Sequence, residues 1–434
     1  MQRGAVPIVP AREPAEGAAQ SFTPGYRAYA LGLLVVVYVL NFVDRQILTI
    51  LGKPIADEFQ LSDTQLGLLG GPAFAVFYTF VGIPIARWAD VGVRRSIIAL
   101  AMAVWSAMTA LTFFAGGFVT LALARVGVGV GEAGCSPPAH SLISDLFPPE
   151  RRATALSIYS LGIPIGGALG SLLGGWLGQV YGWRVAFLAV GLPGILLSLL
   201  VRFTLREPPR SAAPTRLGAL QVLRFMLRRR AFVHISLGAA LHAFSGYGAA
   251  FFIPVFLMRV HHFQLAEVGT WLFGIALTTG VAGTYLGGAI SDRLAAAEVR
   301  WYMRVPAIAS LIGIPFALLF YLWPNGQSAL LLSVPGSLVA GMYLGPTFAM
   351  TQSLARPDMR ALAAAILLFI INLIGFGLGP AFVGWLSETL KPSFGVDSIR
   401  YALLCTVVVC GSWAALHYTL AARTLAEDLR AKDA

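Results

Sequence analysis

Four ionisable side chains stand where the chain is otherwise apolar: Asp44 and Arg45 in one hydrophobic run, Arg125 and Glu132 in another. A charge at the centre of a bilayer costs about 2.5–3.5 kcal/mol on insertion scales, so each needs a partner or a wet cavity. Arg125 and Glu132 are separated by two helical turns, which places them on one helix face roughly 10 Å apart along the axis. Asn41 and Arg45, at i and i+4, share a face of their own helix. Guanidinium stays protonated and presents a planar fork to anions, whereas a carboxylate gains and loses protons. The pattern predicts a central cavity in which Arg45, Arg125 and Asn41 hold an anionic group while Asp44 and Glu132 carry protons. The alternative is a buried ion-pair network that only orients helices.

Aromatic side chains at Phe244, Tyr247 and Phe251 are expected to line the same cavity, with a bend at Phe251-Phe252-Ile253-Pro254. His242, Thr351, Gln352 and Asn372 are lesser candidates, because a lone polar group in a membrane helix most often makes one interhelical hydrogen bond. His140 with Ser141 lacks a third member for a hydrolytic triad. Gly129-Val-Gly131-Glu132-Ala133-Gly134 fits GxGxxG but lies inside an apolar helix, so a packing seam at Gly127 and Gly131 is the better account than nucleotide binding. The same holds for Gly162, Gly166, Gly170 and Gly174, where Pro164 can bend the helix. No Walker motif occurs. Cys135, Cys405 and Cys410 fall in apolar segments, against a disulfide framework or a metal site. No cofactor is expected, and the chain does not read as an enzyme.

The elements that position these groups follow from composition. Hydrophobic residues make up 57% of the 434 and charged residues only 12%, about half the charge of a soluble domain. A membrane helix needs roughly 20 apolar residues, and such stretches are predicted at 26–50, 66–88, 95–115, 118–144, 150–178 and 183–204. Six more follow at 232–258, 267–290, 303–323, 326–352, 360–387 and 400–422. The fold class is therefore an all-α membrane protein of twelve transmembrane helices in two six-helix pseudo-symmetric halves, 26–205 and 232–422. Residues 1–25 and 423–434 read as cytoplasmic tails and 206–231 as a cytoplasmic linker.

Basic residues test this arrangement. Twenty-four Lys and Arg fall in segments assigned to the cytoplasm and five in outer loops, the asymmetry of the positive-inside rule. The net charge of +11 is thus an orientation signal and not a nucleic-acid footprint. A multi-pass protein of a cell (inner) membrane is expected, with both termini cytoplasmic. Within the linker, residues 216–226 form a candidate amphipathic helix running into Arg228-Arg229-Arg230, along the interface near anionic headgroups. A plain tether between the halves is the simpler reading.

The two halves repeat a signal. Gly82-x-x-x-Ala86-Arg87-Trp88-Ala89-Asp90-Val91-Gly92-Val93-Arg94-Arg95 precedes the third helix, and Gly287-Gly288-Ala289-Ile290-Ser291-Asp292-Arg293-Leu294 the ninth. Such correspondence marks a parallel repeat about an axis along the membrane normal. Here the chain resembles the major facilitator superfamily, although Val93 stands where that signature has glycine. The resemblance implies a cytoplasmic gate of Asp90, Arg94, Arg95, Asp292 and Arg293. The stretch Arg125 to Pro138, with Asn41-Phe-Val-Asp44-Arg45-Gln and Pro254-Val-Phe-Leu257, is similar to the Spinster branch, in a bacterial member. That likeness implies proton-linked movement of amphipathic molecules such as lysophospholipids.

The resulting expectation is a proton-coupled secondary transporter, an antiporter or exporter of amphipathic, lipid-like molecules, acting as a monomer by alternating access in the bilayer. The rivals are a proton symporter of small organic anions, which needs a more polar second-half cavity, and a non-transporting membrane sensor on the same fold.

Overall fold

The computed structural model describes residues 22–209 and 218–431. Most of the expected N-terminal tail, the linker segment with Arg216, and residues 432–434 lie outside the described residues. Helix α1 (Pro24–Phe59) starts where Thr23 Oγ1 accepts from the Tyr26 amide and Pro24 takes a position that needs no donor. Helix α2 (Asp63–Val91) starts with a reciprocal cap, Gln65 N–H to Ser62 Oγ at 3.2 Å and Ser62 N–H to Gln65 Oε1 at 3.0 Å. Helices α3 (Arg94–Phe114), α4 (Phe118–Leu146), α5 (Glu150–Tyr181) and α6 (Trp183–Thr204) complete the first half. A short helix α7 (Ala219–Leu227) lies in the linker. The second half holds α8 (Arg230–Val260), α9 (Leu265–Ala295), α10 (Trp301–Leu322) and α11 (Gly326–Leu354). The last helical stretch, Pro357–Arg430, turns at Gly395–Asp397, with Gly395 at φ 56°. That turn divides it into α12 (357–394) and α13 (Ser398–Arg430). The described residues thus form twelve spans and no strand.

The helices overrun their apolar cores. Helix α1 continues past residue 50, supported by the i,i+4 pair Lys53–Asp57. Helix α13 is helical to Arg430, through most of what composition marks as a tail. Hydropathy reports the part that lies in hydrocarbon, and a helix continues beyond it wherever the backbone stays satisfied. Pro254 leaves α8 a continuous helix.

Five spans that read as unbroken are interrupted: α5 at Leu161, α11 at a tighter turn over Gly341–Tyr343, and three more. Helix α2 breaks at Gly71, ahead of Pro72. Helix α4 stops at Glu132 and restarts at Ser136, because Pro137 and Pro138 carry no amide donor. Helix α12 widens to a π-helical turn at Ile371–Phe376, just before Pro380.

Glycine sets the close approaches. A Cβ on Gly166 of α5 would collide with the Val39 carbonyl of α1. One on Gly175 would sit 2.9 Å from the Leu265 carbonyl of α9, joining the two halves. Call the end of the bundle that carries the termini proximal and the other distal. Polar contacts between the halves gather at the distal end: Trp176 Nε1–H to Thr270 Oγ1 at 3.1 Å, and the Ala266 amide to Gln179 Oε1 at 2.8 Å. Ring contacts continue to mid-height, Phe74–Phe376 at 5.2 Å and Phe80–Phe369 at 5.7 Å. Beyond Phe80, towards the termini, Ile83, Trp88, Val91 and Val93 of α2 and its following turn are exposed. The bundle is closed distally and splayed proximally.

Candidate functional site

The break in α4 falls directly after Glu132, so this carboxylate occupies the last position of a helical segment facing α1. Arg45 Nε donates to Glu132 Oε2 at 2.5 Å, with side-chain exposures of 18% and 0%, so one side of the guanidinium reaches open space and the carboxylate does not. Phe42, Phe74 and Tyr78 surround the Arg45 guanidinium at 4.9, 4.9 and 4.7 Å from their ring centres. Arg125 lies 4.7 Å from the same Phe74 ring. Such cation–π contacts are each worth up to about 2 kcal/mol when desolvated, which helps two cations share one pocket.

Asp44 is buried, 3% exposed, on the side of α1 that faces Thr109. Arg125 is within electrostatic reach of both Asp44 and Glu132. Asn41 lies beside Glu132, although its Nδ2 closes no hydrogen bond of ordinary geometry. Asp44 Oδ1, Glu132 Oε1 and Arg125 Nε are likewise buried without a hydrogen-bond partner. Unmade bonds in a low-dielectric site are costly, and four such atoms fall in this one cluster.

The structure brings Asn41, Asp44, Arg45, Arg125 and Glu132 together, as their spacing suggests. Tyr247 joins them from the other half: it is 39% exposed, within reach of Arg45, with its ring 4.9 Å from that of Phe376. Phe244 packs 5.3 Å from Phe382 and is half-buried. Phe251 departs from expectation. Its ring lies under Gly70 of α2 and is 5% exposed, so it belongs to the closed distal seam and not to an open wall. Gln352 is exposed and Thr351 buried. Asn372 sits on the π turn.

The apolar space lies in the second half. A cavity of about 320 Å³ runs among α8, α9, α10, α11 and α13. His242 stands at one side, bonded to Ser310 Oγ at 3.2 Å and to the Ala340 carbonyl at 3.0 Å. The remaining lining is chiefly alanine, serine and glycine, with pairs of isoleucine, leucine and phenylalanine and single tyrosine and valine residues.

Asp90 is exposed. Arg94 is buried and binds within its own half: Asp145, Glu207 Oε1 at 2.7 Å, Ser141 Oγ at 2.8 Å and the Pro208 carbonyl at 3.0 Å. Arg95 Nη1 donates to the Leu205 carbonyl at 3.1 Å. Asp292 accepts from Tyr302 Oη at 2.7 Å, also within one half, and Arg293 is exposed. None of these contacts bridges the two halves in this conformation.

Sequence reasoning missed the distal cluster. Arg259 of α8 donates to Asp63 of α2 through both terminal nitrogens, at 2.7 and 2.5 Å. Ser387 Oγ of α12 donates to the same carboxylate at 2.6 Å, and the Asp63 amide donates to Glu388 Oε2 at 3.1 Å. Nothing local signals it, since Asp63 looks like an N-terminal helix acid and Arg259 like a loop base.

Comparison with known proteins agrees with this architecture. Residues 34–380 match the family model of the Major Facilitator Superfamily. An MFS-type efflux pump of Mycolicibacterium smegmatis is 34% identical over 92% of this chain and 94% of its own length. The sphingosine-1-phosphate transporter SPNS2 of Danio rerio is 28% identical over 88% of this chain and 81% of its own. The crystal structure of a bacterial homolog of the human lysosomal transporter Spinster, inward-facing and unoccupied, superposes with a TM-score of 0.86 at 35% identity, covering 94% of this chain and 99% of that one. The chain belongs to the Major Facilitator Superfamily: it is a multi-pass membrane transporter similar to the Spinster proteins, and not an enzyme.

Proposed function

We propose that the protein is a proton-coupled antiporter that exports amphipathic, lipid-like molecules across a bacterial inner membrane, working as a monomer. The observation that carries this reading is the pairing of a charged pole with a separate apolar space. Arg45 and Arg125 form a cationic pole with Glu132 and Asp44, and the second half holds a largely apolar cavity. A single-chain lipid with an anionic head places its phosphate or carboxylate on the guanidiniums and its chain against aliphatic walls. The splayed proximal end supplies access to that pole. Symport of a small organic anion uses the same two arginines but leaves the apolar cavity without a purpose.

Gly313→Phe tests the assignment of the cavity. Gly313 lines it, and a Cβ there meets only Val339 Cγ2 at 3.8 Å, so the fold tolerates the substitution while the ring fills the space. Lysophospholipid transport into or out of proteoliposomes should fall by about tenfold or more, equivalent to a loss of about 1.4 kcal/mol or more in substrate binding, while proton-dependent conformational change persists. Undiminished lysolipid transport by Gly313→Phe would remove the cavity from the substrate path.

We place both termini in the cytoplasm on the 24-to-five basic asymmetry. A single cysteine at Ser393, in a chain stripped of its natural cysteines, should react with an impermeant reagent added outside intact cells. Reaction only after the membrane is broken reverses the orientation.

A further inference from the structure

The linker helix α7 is anchored on one side and bare on the other. Val222 and Met226 are fully buried in the proximal core of the second half. The Phe225 ring lies 5.1 Å from the guanidiniums of both Arg229 and Arg356. Arg229 Nη2 donates to the Ala431 carbonyl at 2.8 Å, and Asp428 accepts from the Ala231 amide at 2.6 Å. These contacts fix the helix to the second half alone.

The opposite stripe has no partner among the described residues. Leu220 and Leu227 are 58% and 51% exposed, and Arg224, also exposed, stands between them on the same helical face. Arg228 and Arg230 continue the exposed cations at the end of α7, and Arg356 and Arg360 lie exposed at the start of α12. Among the described residues, none of these five arginines takes part in an ion pair. Of the acids near this region, Asp428 is engaged by the Ala231 amide, and Asp358, exposed between Arg356 and Arg360, pairs with neither of them. Helix α8, which spans the membrane, begins at Arg230, so the stripe lies at the level where the bilayer starts.

From this placement we infer that α7 and the neighbouring arginines form a docking surface for the headgroups of anionic phospholipids in the proximal leaflet. Two leucines at the level of the acyl boundary, with guanidiniums beside them at headgroup depth, match an interfacial helix. Uncompensated arginines match a layer of phosphate groups. Because α7 packs on the second half only, the contact tethers that half to the leaflet while the first half moves against it.

The test attaches a polarity-sensitive fluorophore to Leu220→Cys, in the full chain with Cys135, Cys405 and Cys410 replaced by alanine. The protein is reconstituted in vesicles of phosphatidylcholine, or of phosphatidylcholine mixed with phosphatidylglycerol. Phosphatidylglycerol should shift the emission to the blue, and raised salt should reverse the shift. The shift should be lost when Arg224→Gln, Arg228→Gln and Arg230→Gln are combined. Inorganic phosphate added to the phosphatidylcholine vesicles should leave the emission unchanged. Equal emission in the two lipids overturns the inference, as does a salt-resistant shift in the parent chain. A full shift in the triple variant, or one produced by inorganic phosphate alone, overturns it as well. The salt reversal reads the parent chain directly, so the outcome does not depend on the triple variant folding.

Discussion

Asp63→Ala should open the distal end of the bundle. The carboxylate is 4% exposed and holds Arg259, 19% exposed, through a bidentate pair, and it also accepts from Ser387. Removing one partner of a buried pair costs about 3–5 kcal/mol, because the remaining charge keeps its desolvation penalty. Arg259 is not fully enclosed and Glu388 is near, so the low end of that range applies. The penalty falls on the closed distal arrangement alone, since parting the halves returns Arg259 to water. At 1.4 kcal/mol per tenfold, about 3 kcal/mol shifts the balance of distally closed to distally open molecules by roughly a hundredfold. Spin-label distances across the distal face should lengthen in Asp63→Ala, and an unchanged distribution removes the latch. We assign the opposite sign to Asp90→Asn. Asp90 and Asp292 are proposed to bind across the proximal face only when it closes, so losing Asp90 should favour the proximally open state in the same measurement.

Glu132→Gln should abolish the dependence of transport on a proton gradient. In the present conformation Arg45 donates to Glu132, and an anionic ligand on Arg45 or Arg125 competes for that contact. A carboxylate beside a guanidinium and one parted from it bind protons with different affinity. A change of partner as the halves rock therefore couples the two fluxes. Glutamine keeps an oxygen for Arg45 but cannot exchange a proton, so it mimics the loaded state permanently. The variant should bind lysolipid and lose pH-dependent conformational change. Asp44→Asn should weaken the same response, because Asp44 reaches the network through Arg125, and Arg125→Ala should weaken binding itself. Normal pH dependence in Glu132→Gln reduces Glu132 to an ion-pair partner that orients α1 on α4.

Much of this site is legible in the sequence because the membrane makes local signals strong. Charges in apolar runs stand out, and the spacing of Asn41 from Arg45 and of Arg125 from Glu132 gives their faces directly. Glycines at i, i+4 and i+8 announce the α1–α5 seam at Gly166 and Gly170. What escapes depends on distance along the chain or on backbone detail. The Asp63–Arg259 pair joins residues separated by 196 positions, and no periodicity predicts it. Arg94 reads as part of a gate signature, yet in this conformation it is a buried strut between the starts of α3 and the chain after α6, set by Asp145 and Glu207. Phe251 differs from Tyr247 by little more than one turn, but that turn separates the closed seam from the open centre. The break after Glu132 was hidden because the apolar run continues through it, although Pro137 and Pro138 carry its cause.

The coupling of proton movement to an amphipathic substrate is tested most directly in sealed proteoliposomes carrying a pH-sensitive dye. Addition of a lysophospholipid should release a proton flux opposite in direction to the lipid, absent from protein-free vesicles and from Glu132→Gln, with small organic acids ineffective. Proton flux driven by small organic acids and not by lysophospholipid, or lysophospholipid transport without any proton movement, would contradict the account.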